Sequence, residues 1–175
     1  MTTDCKGGQL KAIRVALRYL SQRPRTVVEV QSRLRRHCFT ENMVTAATEH
    51  LLGQGLLNDE NFARSWRESR ERNRPRSASM VRRELIGKGV SPDVADGVVM
   101  GMDDVSMAYR AGLTRVRRLW VVEYETFVRR LGQYLARRGF GSGVVRYTVA
   151  RLWQERQQVG AYGVAITKKC LVADR

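Results

Sequence analysis

At 175 residues the chain is long enough for one domain or a short array of units, and its 43% apolar content excludes a wholly disordered protein. No apolar run reaches the roughly 18 residues that a membrane span needs, and no basic-then-apolar leader opens the chain. The net charge of +15 favours a polyanionic partner, because only five of the 32 basic residues are lysine and arginine pairs bidentately with phosphates and carboxylates.

Cysteine and histidine give no sign of chemistry. The three cysteines, Cys5, Cys38 and Cys170, are too scattered for a metal site, and an odd number does not fit a complete disulfide framework. Neither His37 nor His50 has a nucleophile at the spacing of a catalytic motif. We therefore expect a cytoplasmic protein with reduced thiols, and we expect no cofactor, no metal and no catalytic residue.

The middle of the chain repeats an earlier stretch. Arg23-Pro-Arg25 recurs as Arg74-Pro-Arg76, and the hydroxyl and apolar positions that follow match at the same offset of 51 residues. A third copy follows at an offset of 50, where Leu85-Ile-Gly-Lys-Gly-Val90 becomes Leu135-Ala-Arg-Arg-Gly-Phe140. Because self-similarity at a fixed period is the mark of a repeat protein, the sequence predicts three repeats of about fifty residues.

Apolar spacing and capping signals divide each repeat into three helices. Thr26-Val-Val-Glu29 predicts a capping box, and Ser91-Pro92-Asp93 predicts another helix start. No stretch alternates convincingly as a strand, so the predicted fold is all-α. The expected organisation is a flexible N-terminus at residues 1–9, helical repeat 1 at 10–58, repeat 2 at 59–103, repeat 3 at 104–158 and a C-terminal tail at 159–175.

The second helix of each repeat is expected to end at an equivalent residue. That residue is Gly89 in repeat 2 and Gly139 in repeat 3, but Cys38 in repeat 1. Glycine commonly takes a left-handed conformation just after a helix. If Cys38 takes it as well, the cost relative to glycine is about 1 kcal/mol, and Cys38→Gly should leave the protein as stable or more so.

The charge is distributed unevenly along the chain. Residues 1–58 carry a balance of +5, residues 59–105 a balance of 0 and residues 106–175 a balance of +10. On the second helix of repeat 3, Arg130 and Arg137 are seven residues apart, so they lie close together and away from the apolar face. The excess of positive charge without nearby acids favours an anion-binding surface over an ordinary solvated helix face.

Further arginines extend this set of candidates. Arg129 and Arg138 flank the central pair, and Arg36 holds in repeat 1 the position that Arg137 holds in repeat 3. Arg146 is also a candidate contact for protein or DNA. Weaker candidates are Arg115, Arg117, Arg118 and Arg151.

Two other patterns have plainer explanations. Asp59 and Glu60 could suggest a metal-binding pair, but capping of the first helix of repeat 2 by Asn58 or Asp59 explains them better. Asp103-Asp104 is interpreted in the same way, as a helix start. The three tryptophans could stack on bases, but helical apolar spacing favours core packing; they are Trp66, Trp120 and Trp153.

Several segments match one family in order and spacing. They are Ala16-Leu-Arg-Tyr-Leu-Ser-Gln-Arg23, Gly55-Leu-Leu-Asn-Asp-Glu-Asn-Phe-Ala63, Trp66 to Arg70, Glu84-Leu-Ile-Gly-Lys-Gly-Val90 and Tyr134-Leu-Ala-Arg-Arg-Gly-Phe140. Over roughly residues 10–155 the chain resembles the RecX family of bacterial proteins that regulate the RecA recombinase. The resemblance implies three tandem three-helix repeats in an elongated, curved array.

The resemblance also implies a function in recombination, DNA repair and the SOS response. The expected protein is a non-enzymatic monomer that binds RecA or its nucleoprotein filament and mainly inhibits recombinase, ATPase and coprotease activity. Its basic surface would meet single- or double-stranded DNA, with no membrane involved. Capping of filament ends and binding in the filament groove both remain open. The alternative is a stand-alone helical DNA-binding module or repressor, which the net charge supports equally well.

Overall fold

The structure, a computed structural model, describes residues 3–119 and 121–172, with the side chains of residues 7–119 and 121–158. This part of the chain contains nine α-helices, one short 3-10 helix at Arg117–Leu119 and no strand, which confirms the all-α prediction. The helices are α1 (Thr3–Leu20), α2 (Val27–Arg36), α3 (Glu41–Gly53), α4 (Asp59–Asn73), α5 (Ala78–Gly87), α6 (Pro92–Val99), α7 (Asp104–Val116), α8 (Tyr124–Ala136) and α9 (Ser142–Val172).

The two ends of the chain are more helical than the sequence suggested. The segment 1–9 was expected to be flexible, whereas α1 begins at Thr3 and the Met43 side chain of α3 lies against its Gly8. The sequence pattern assigned no structure to the tail from residue 159, and α9 continues to Val172. No proline follows Pro92 in the sequence, so the chain carries no proline that would stop this last helix.

The chain folds into two compact units. Unit 1 comprises Met1–Ser69 and Val81–Met100, and unit 2 comprises Arg70–Met80 and Gly101–Arg175. The main core of unit 1 is formed by Ala12, Ala16, Val30, Leu34, Val44, Ala47, Leu51 and Leu57. The core of unit 2 is formed by Ala108, Ala111, Val116, Leu119, Phe127, Leu131, Leu135, Phe140, Val149 and Leu152. Each large apolar side chain buried in this way contributes about 1.5–3 kcal/mol.

The second helices of the three repeats end in the same way. Backbone N–H groups of Phe39, Val90 and Phe140 donate to the carbonyls of Leu34, Leu85 and Leu135, at 3.4, 3.1 and 3.4 Å. This bond closes around a residue with positive φ, which is 60° at Cys38, 87° at Gly89 and 88° at Gly139. The expectation that Cys38 is left-handed is therefore confirmed, and the turn is the helix ending that glycine normally provides.

Local capping signals act where the sequence predicted them. The Thr26 side chain accepts from the Glu29 N–H at 3.2 Å, and the Glu29 carboxylate accepts from the Thr26 N–H at 3.4 Å. Ser91 caps α6 by accepting from the Val94 N–H. The Asn58 side chain accepts from the Asn61 N–H at 2.9 Å, so Asn58 is the residue that caps α4.

Asp59 and Asp104 have a different role. The Asp59 carboxylate accepts from the Val27 N–H at the start of α2, and the Asp104 carboxylate accepts from the Ala78 N–H at the start of α5, at 2.8 Å. Of the two residues predicted as the cap of α4, Asn58 takes that role, while the Asp59 carboxylate accepts at a helix start far away in sequence. Asp103 does cap α7, by accepting from the Val105 and Ser106 N–H groups.

In each unit a second long-range hydrogen bond lies beside the one that Asp59 or Asp104 accepts. In unit 1 the Thr26 hydroxyl donates to the Lys88 carbonyl at 2.7 Å. In unit 2 the Ser77 N–H donates to the Arg138 carbonyl at 3.1 Å. Each carbonyl belongs to the residue just before the positive-φ glycine. The start of α2 is thus held by residues of repeat 2, and the start of α5 by residues of repeat 3.

Candidate arginine surface

Most of the positive charge belongs to unit 2. Its segments contain 18 Lys and Arg against seven Asp and Glu, a balance of +11, while unit 1 contains 14 against ten, a balance of +4. The middle repeat is neutral as a whole, but its arginine-rich residues 70–76 fall in unit 2. Unit 2 is therefore the part of the molecule with the stronger attraction for an anionic partner.

The α8 arginine surface consists of Arg129, Arg130 and Arg137. Arg129 and Arg130 lie in the middle of α8, and Arg137 is its C-cap residue. Seven residues of helix turn by nearly two full turns, so Arg130 and Arg137 point within about 20° of each other. Two buried leucines, Leu131 and Leu135, hold the opposite side of α8 in the core, which fixes the helix and leaves the arginines outside.

These three side chains are exposed, and no described acidic side chain neutralises their positive charge. Among the side chains that the structure describes, no acid lies within ion-pair distance of Arg129, Arg130 or Arg137. Arginine at the end of α8 also faces the negative end of the helix dipole, which favours Arg137 at that position. A cluster of solvated guanidinium groups can pair bidentately with phosphates or carboxylates.

Arg138 is engaged inside unit 2. Its Nη1 donates to the Pro75 carbonyl at 2.9 Å, and its guanidinium lies 4.5 Å from the centroid of the Tyr134 ring. These contacts tie α8 to the turn before α5 and leave the side chain only half exposed. Arg138 is predicted to contact a partner beside Arg137, but its guanidinium already makes these two contacts within unit 2.

The remaining candidates divide in the same way. Arg146 is exposed on α9, and Arg117 and Arg118 are exposed on the 3-10 helix. In contrast, Arg151 pairs with Glu155 at 2.9 Å, and Arg115 is half-buried with its guanidinium 5.7 Å from the Tyr134 ring centroid. The first three keep their charge available, while the last two take part in the packing of unit 2.

Arg36 lies in unit 1, as the last residue of α2, and is exposed. Other unit 1 arginines are paired on the surface: Arg35 with Glu41 at 2.9 Å, and Arg82 with Asp96. The hydrogen bond from Arg35 lowers the pKa of Glu41. Exposed pairs of this kind stabilise a fold only slightly, but they do reduce the local excess of positive charge.

The tryptophans that the structure describes are packed. Trp66 stacks on Phe62 with ring centroids 5.8 Å apart, and its indole N–H donates to Glu84 at 2.8 Å. Trp153 packs against Phe127 with centroids 5.1 Å apart. Trp120 lies outside the described residues. Among the described residues, no group of His, Cys, Asp and Glu could hold a metal ion, and no helix is long and apolar enough to cross a membrane.

Comparisons with known proteins decide the family. A family model for the first three-helix domain of RecX matches residues 12–51, and one for the second three-helix domain matches residues 58–99. Regulatory protein RecX of Mycobacterium avium is 32% identical over 149 residues, which cover 82% of this chain and 86% of the relative. This chain belongs to the RecX family. Regulatory protein RecX of Chlorobium limicola is 29% identical over 144 residues, covering 82% and 91% of the two chains.

Solved RecX structures share the fold. The crystal structure of RecX from Lactobacillus salivarius matches with a TM-score of 0.73 and 22% identity, covering 84% of this chain and 97% of that one. A second crystal structure of a regulatory protein RecX matches with a TM-score of 0.71 and 23% identity, covering 83% and 73%. The two RecX domains matched by family models correspond to α1–α3 and α4–α6, and the relatives' name assigns this RecX chain a regulatory role.

Proposed function

We propose that this protein binds the RecA recombinase, or the RecA filament on DNA, and mainly inhibits its recombinase, ATPase and coprotease activities. The observation that carries the proposal is membership of the RecX family across both matched three-helix domains. The regulatory name of the relatives supports a protein that acts on another protein. In this proposal it has no catalytic activity of its own and acts in the cytoplasm.

The α8 arginine surface is the proposed contact with the filament. Its three exposed arginines lie in the unit with a balance of +11, without acidic partners among the described side chains. A RecA filament presents both protein carboxylates and DNA phosphates, and guanidinium groups pair with either. Contacts of this kind release counterions, so binding should weaken steeply as salt is raised.

Inhibition requires no chemistry by this chain. A bound protein that bridges adjacent RecA subunits would oppose the movements that accompany ATP hydrolysis, and one bound at a filament end would stop the addition of subunits. Both modes use binding energy to favour one state of the filament over others. They differ in stoichiometry, because an end-blocking protein acts at far lower ratios to RecA than one that coats the filament.

The test is ATP hydrolysis by preformed RecA filaments on single-stranded DNA, with this protein well below one copy per RecA. We expect inhibition by the wild type, and its loss in the double variant Arg130→Ala and Arg137→Ala. The matched control replaces Arg14 and Arg18, two exposed arginines of α1, by alanine and removes the same charge. Circular dichroism checks that all variants are folded.

A parallel measurement on naked DNA at the same salt separates the alternative. A stand-alone DNA-binding module, which the charge of unit 2 also supports, would lower ATP hydrolysis only when enough protein is present to saturate the DNA. Inhibition at low ratio that both double variants retain would remove the α8 arginine surface from the proposal. No inhibition before DNA saturation would refute RecA regulation itself.

A further inference from the structure

Unit 1 contains a cleft between the last turns of α1 and α2. Its volume is about 270 Å³, and it is lined by Val15, Arg18, Tyr19, Gln22, Arg33 and His37. The first four recur at helical spacing along the end of α1, and the last two are four residues apart at the end of α2. The cleft holds several times the roughly 30 Å³ that a water molecule occupies, so a small anion fits inside it.

The arginines of the cleft have no acidic partner. Arg18 is exposed and Arg33 is half-buried, and neither forms an ion pair or a side-chain hydrogen bond with a described residue. Glu29, one turn before Arg33 on α2, pairs instead with Lys88 at 3.3 Å and with Arg23 at 3.5 Å. No Asp or Glu lines the cleft, so both guanidiniums remain available for charge-assisted hydrogen bonds.

The Tyr19 ring brings a further positive charge close to the cleft. The guanidinium of Arg33 lies 5.6 Å from the ring centroid, and that of Arg25 lies 3.9 Å from it. Arg25 does not line the cleft, but its charge adds to the positive potential there. Two guanidiniums against one ring repel each other, and an anion in the cleft would offset that repulsion.

The helix ends beside the cleft do little to oppose an anion. Carbonyls at a helix C-terminus carry partial negative charge, which would repel one. Here the Ser21 N–H donates to the Leu17 carbonyl at 2.9 Å, and the Ser21 hydroxyl donates to the Arg18 carbonyl at 3.0 Å. At the end of α2 the His37 N–H donates to the Leu34 carbonyl at 2.9 Å. These carbonyls are already hydrogen-bonded, and the side-chain charges dominate the cleft.

We propose that this cleft binds the terminal phosphate of a small phosphorylated molecule, either free phosphate or a nucleotide. A terminal phosphate carries about 1.5–2 negative charges at neutral pH, which match the two guanidiniums of Arg18 and Arg33. The exposed His37 ring can donate a further hydrogen bond in either protonation state. A carboxylate or a backbone phosphodiester carries only one charge, and proteins that bind single strands use a groove that follows the backbone, whereas these side chains converge on one cleft.

This phosphate cleft is separate from the proposed RecA contact. It is formed by residues of unit 1, whereas the α8 arginine surface is in unit 2. The control variant of the filament experiment, which lacks Arg14 and Arg18, should keep its inhibition, because the ligand of the cleft is a small molecule and not the filament. Either experiment can therefore fail while the other succeeds.

The test is proton–nitrogen correlation NMR of the full chain, titrated with inorganic phosphate against sodium chloride of equal ionic strength. We expect saturable shifts of the Tyr19 and His37 amide signals, with a dissociation constant on the order of 1 mM. Arg18→Gln and Arg33→Gln should each raise this constant at least about fivefold. The matched controls Arg14→Gln and Arg83→Gln remove the same charge from exposed positions outside the cleft and should change it less than about twofold. Unchanged signals elsewhere in each spectrum verify the fold.

Further probes identify the source of the phosphate. Thymidine 5′-monophosphate should bind at least as tightly as phosphate, and thymidine should not bind; tighter binding of the nucleotide identifies a nucleotide site, and equal binding a site for phosphate alone. Acetate and dimethyl phosphate, each with one negative charge, should bind at least about tenfold more weakly. Equal binding of dimethyl phosphate would make the cleft a contact for the DNA backbone and overturn the proposal. Equal losses in the cleft and control variants would overturn it as well.

Discussion

The Asp59 carboxylate accepts a hydrogen bond at 2.9 Å from the N–H of Val27, which lies 32 residues earlier in the chain. The first residue of α4 thereby completes the N-terminus of α2. Burial raises the pKa of Asp59 above its usual value, although the Val27 N–H partly opposes this, and the nearby charge of Glu29 raises it further. The fold uses the oxygen of Asp59 as an acceptor but does not favour its negative charge.

Replacement of Asp59 should separate these two effects. Asp59→Ala removes the acceptor and should lower the free energy of unfolding by about 1 kcal/mol, the usual value of a helix cap. Asp59→Asn keeps an acceptor and should leave stability unchanged or higher at pH 7. Because the folded-state pKa is raised, the wild type loses stability as pH rises through the carboxyl's titration, so any advantage of Asn should vanish in acid. Urea unfolding at pH 7 and pH 4 measures both.

Glu29 should show the opposite pH dependence. Burial opposes its ionisation, but the Lys88 ammonium at 3.3 Å, together with Arg23 and the Thr26 N–H, outweighs burial and lowers the pKa of Glu29. Its charge therefore stabilises the fold above the ordinary Glu pKa of about 4.3, and this stabilisation is lost as pH falls through the lower folded-state value. Glu29→Gln should be less stable than the wild type at pH 7, with the difference narrowing below about pH 4.

The control for this pH dependence is Glu49→Gln. Glu49 is exposed on α3 and forms no ion pair with a described side chain. Its replacement should shift the urea midpoint little at either pH. A difference between Glu29→Gln and wild type that stays constant from pH 7 to pH 3.5 would show that the Lys88 contact contributes through geometry and not through charge.

Two glycines of repeat 2 provide a matched pair. A Cβ at Gly89 would lie 2.5 Å from the Cβ of Val28, and its φ of 87° is unfavourable for any L-residue with a side chain. Gly89→Ala should therefore cost at least about 1–2 kcal/mol. Gly87 is the last residue of α5 with nothing within 4 Å of its Cβ position, so Gly87→Ala should be neutral or stabilise by up to about 1 kcal/mol. Thermal melts that rank the two variants the other way would contradict this account of the turn.

Cys38 offers the reverse substitution. It is exposed and has a φ of 60°, a conformation that glycine adopts without strain. Cys38→Gly should leave the melting temperature unchanged or raise it, by the equivalent of up to about 1 kcal/mol, because added freedom in the unfolded chain offsets part of the gain. A clear drop in melting temperature would mean that the thiol makes a contact that its exposure does not suggest.

Sequence patterns predicted the features that depend on near neighbours. The capping box of Thr26 and Glu29 spans three residues, and the left-handed turn at Cys38 follows from comparison with Gly89 and Gly139. The burial of Leu85 and Leu135 follows from helical spacing in the same way. These features need no knowledge of how the repeats pack.

Contacts between distant residues were not visible in the sequence. The acceptor role of Asp59 could not be separated from local capping, because Asn58 and Asp59 are adjacent and both are good caps. Arg138 was a candidate contact for a partner beside Arg137, and the sequence gave no sign that it donates to the Pro75 carbonyl, 63 residues away. The exposure of Leu17 gave no signal either, because this residue fits the apolar spacing of core residues although it is 41% exposed. Periodicity reports which face of a helix is apolar, and only the packed chain decides how much of it is covered.

The long-range hydrogen bonds at the N-terminus of α2 affect how repeat 1 folds during synthesis and whether it can fold as a fragment. A ribosome that has synthesised all three helices of repeat 1 has not yet supplied Asp59, and the Lys88 carbonyl that receives the Thr26 hydroxyl comes 62 residues after Thr26. A fragment ending at residue 58 would keep every residue of α1–α3 and still lack both partners of the α2 N-terminus. Autonomous folding of repeat 1 should therefore require an extension into repeat 2, because the repeat period of about fifty residues is shorter than the piece of chain that closes its own hydrogen bonds.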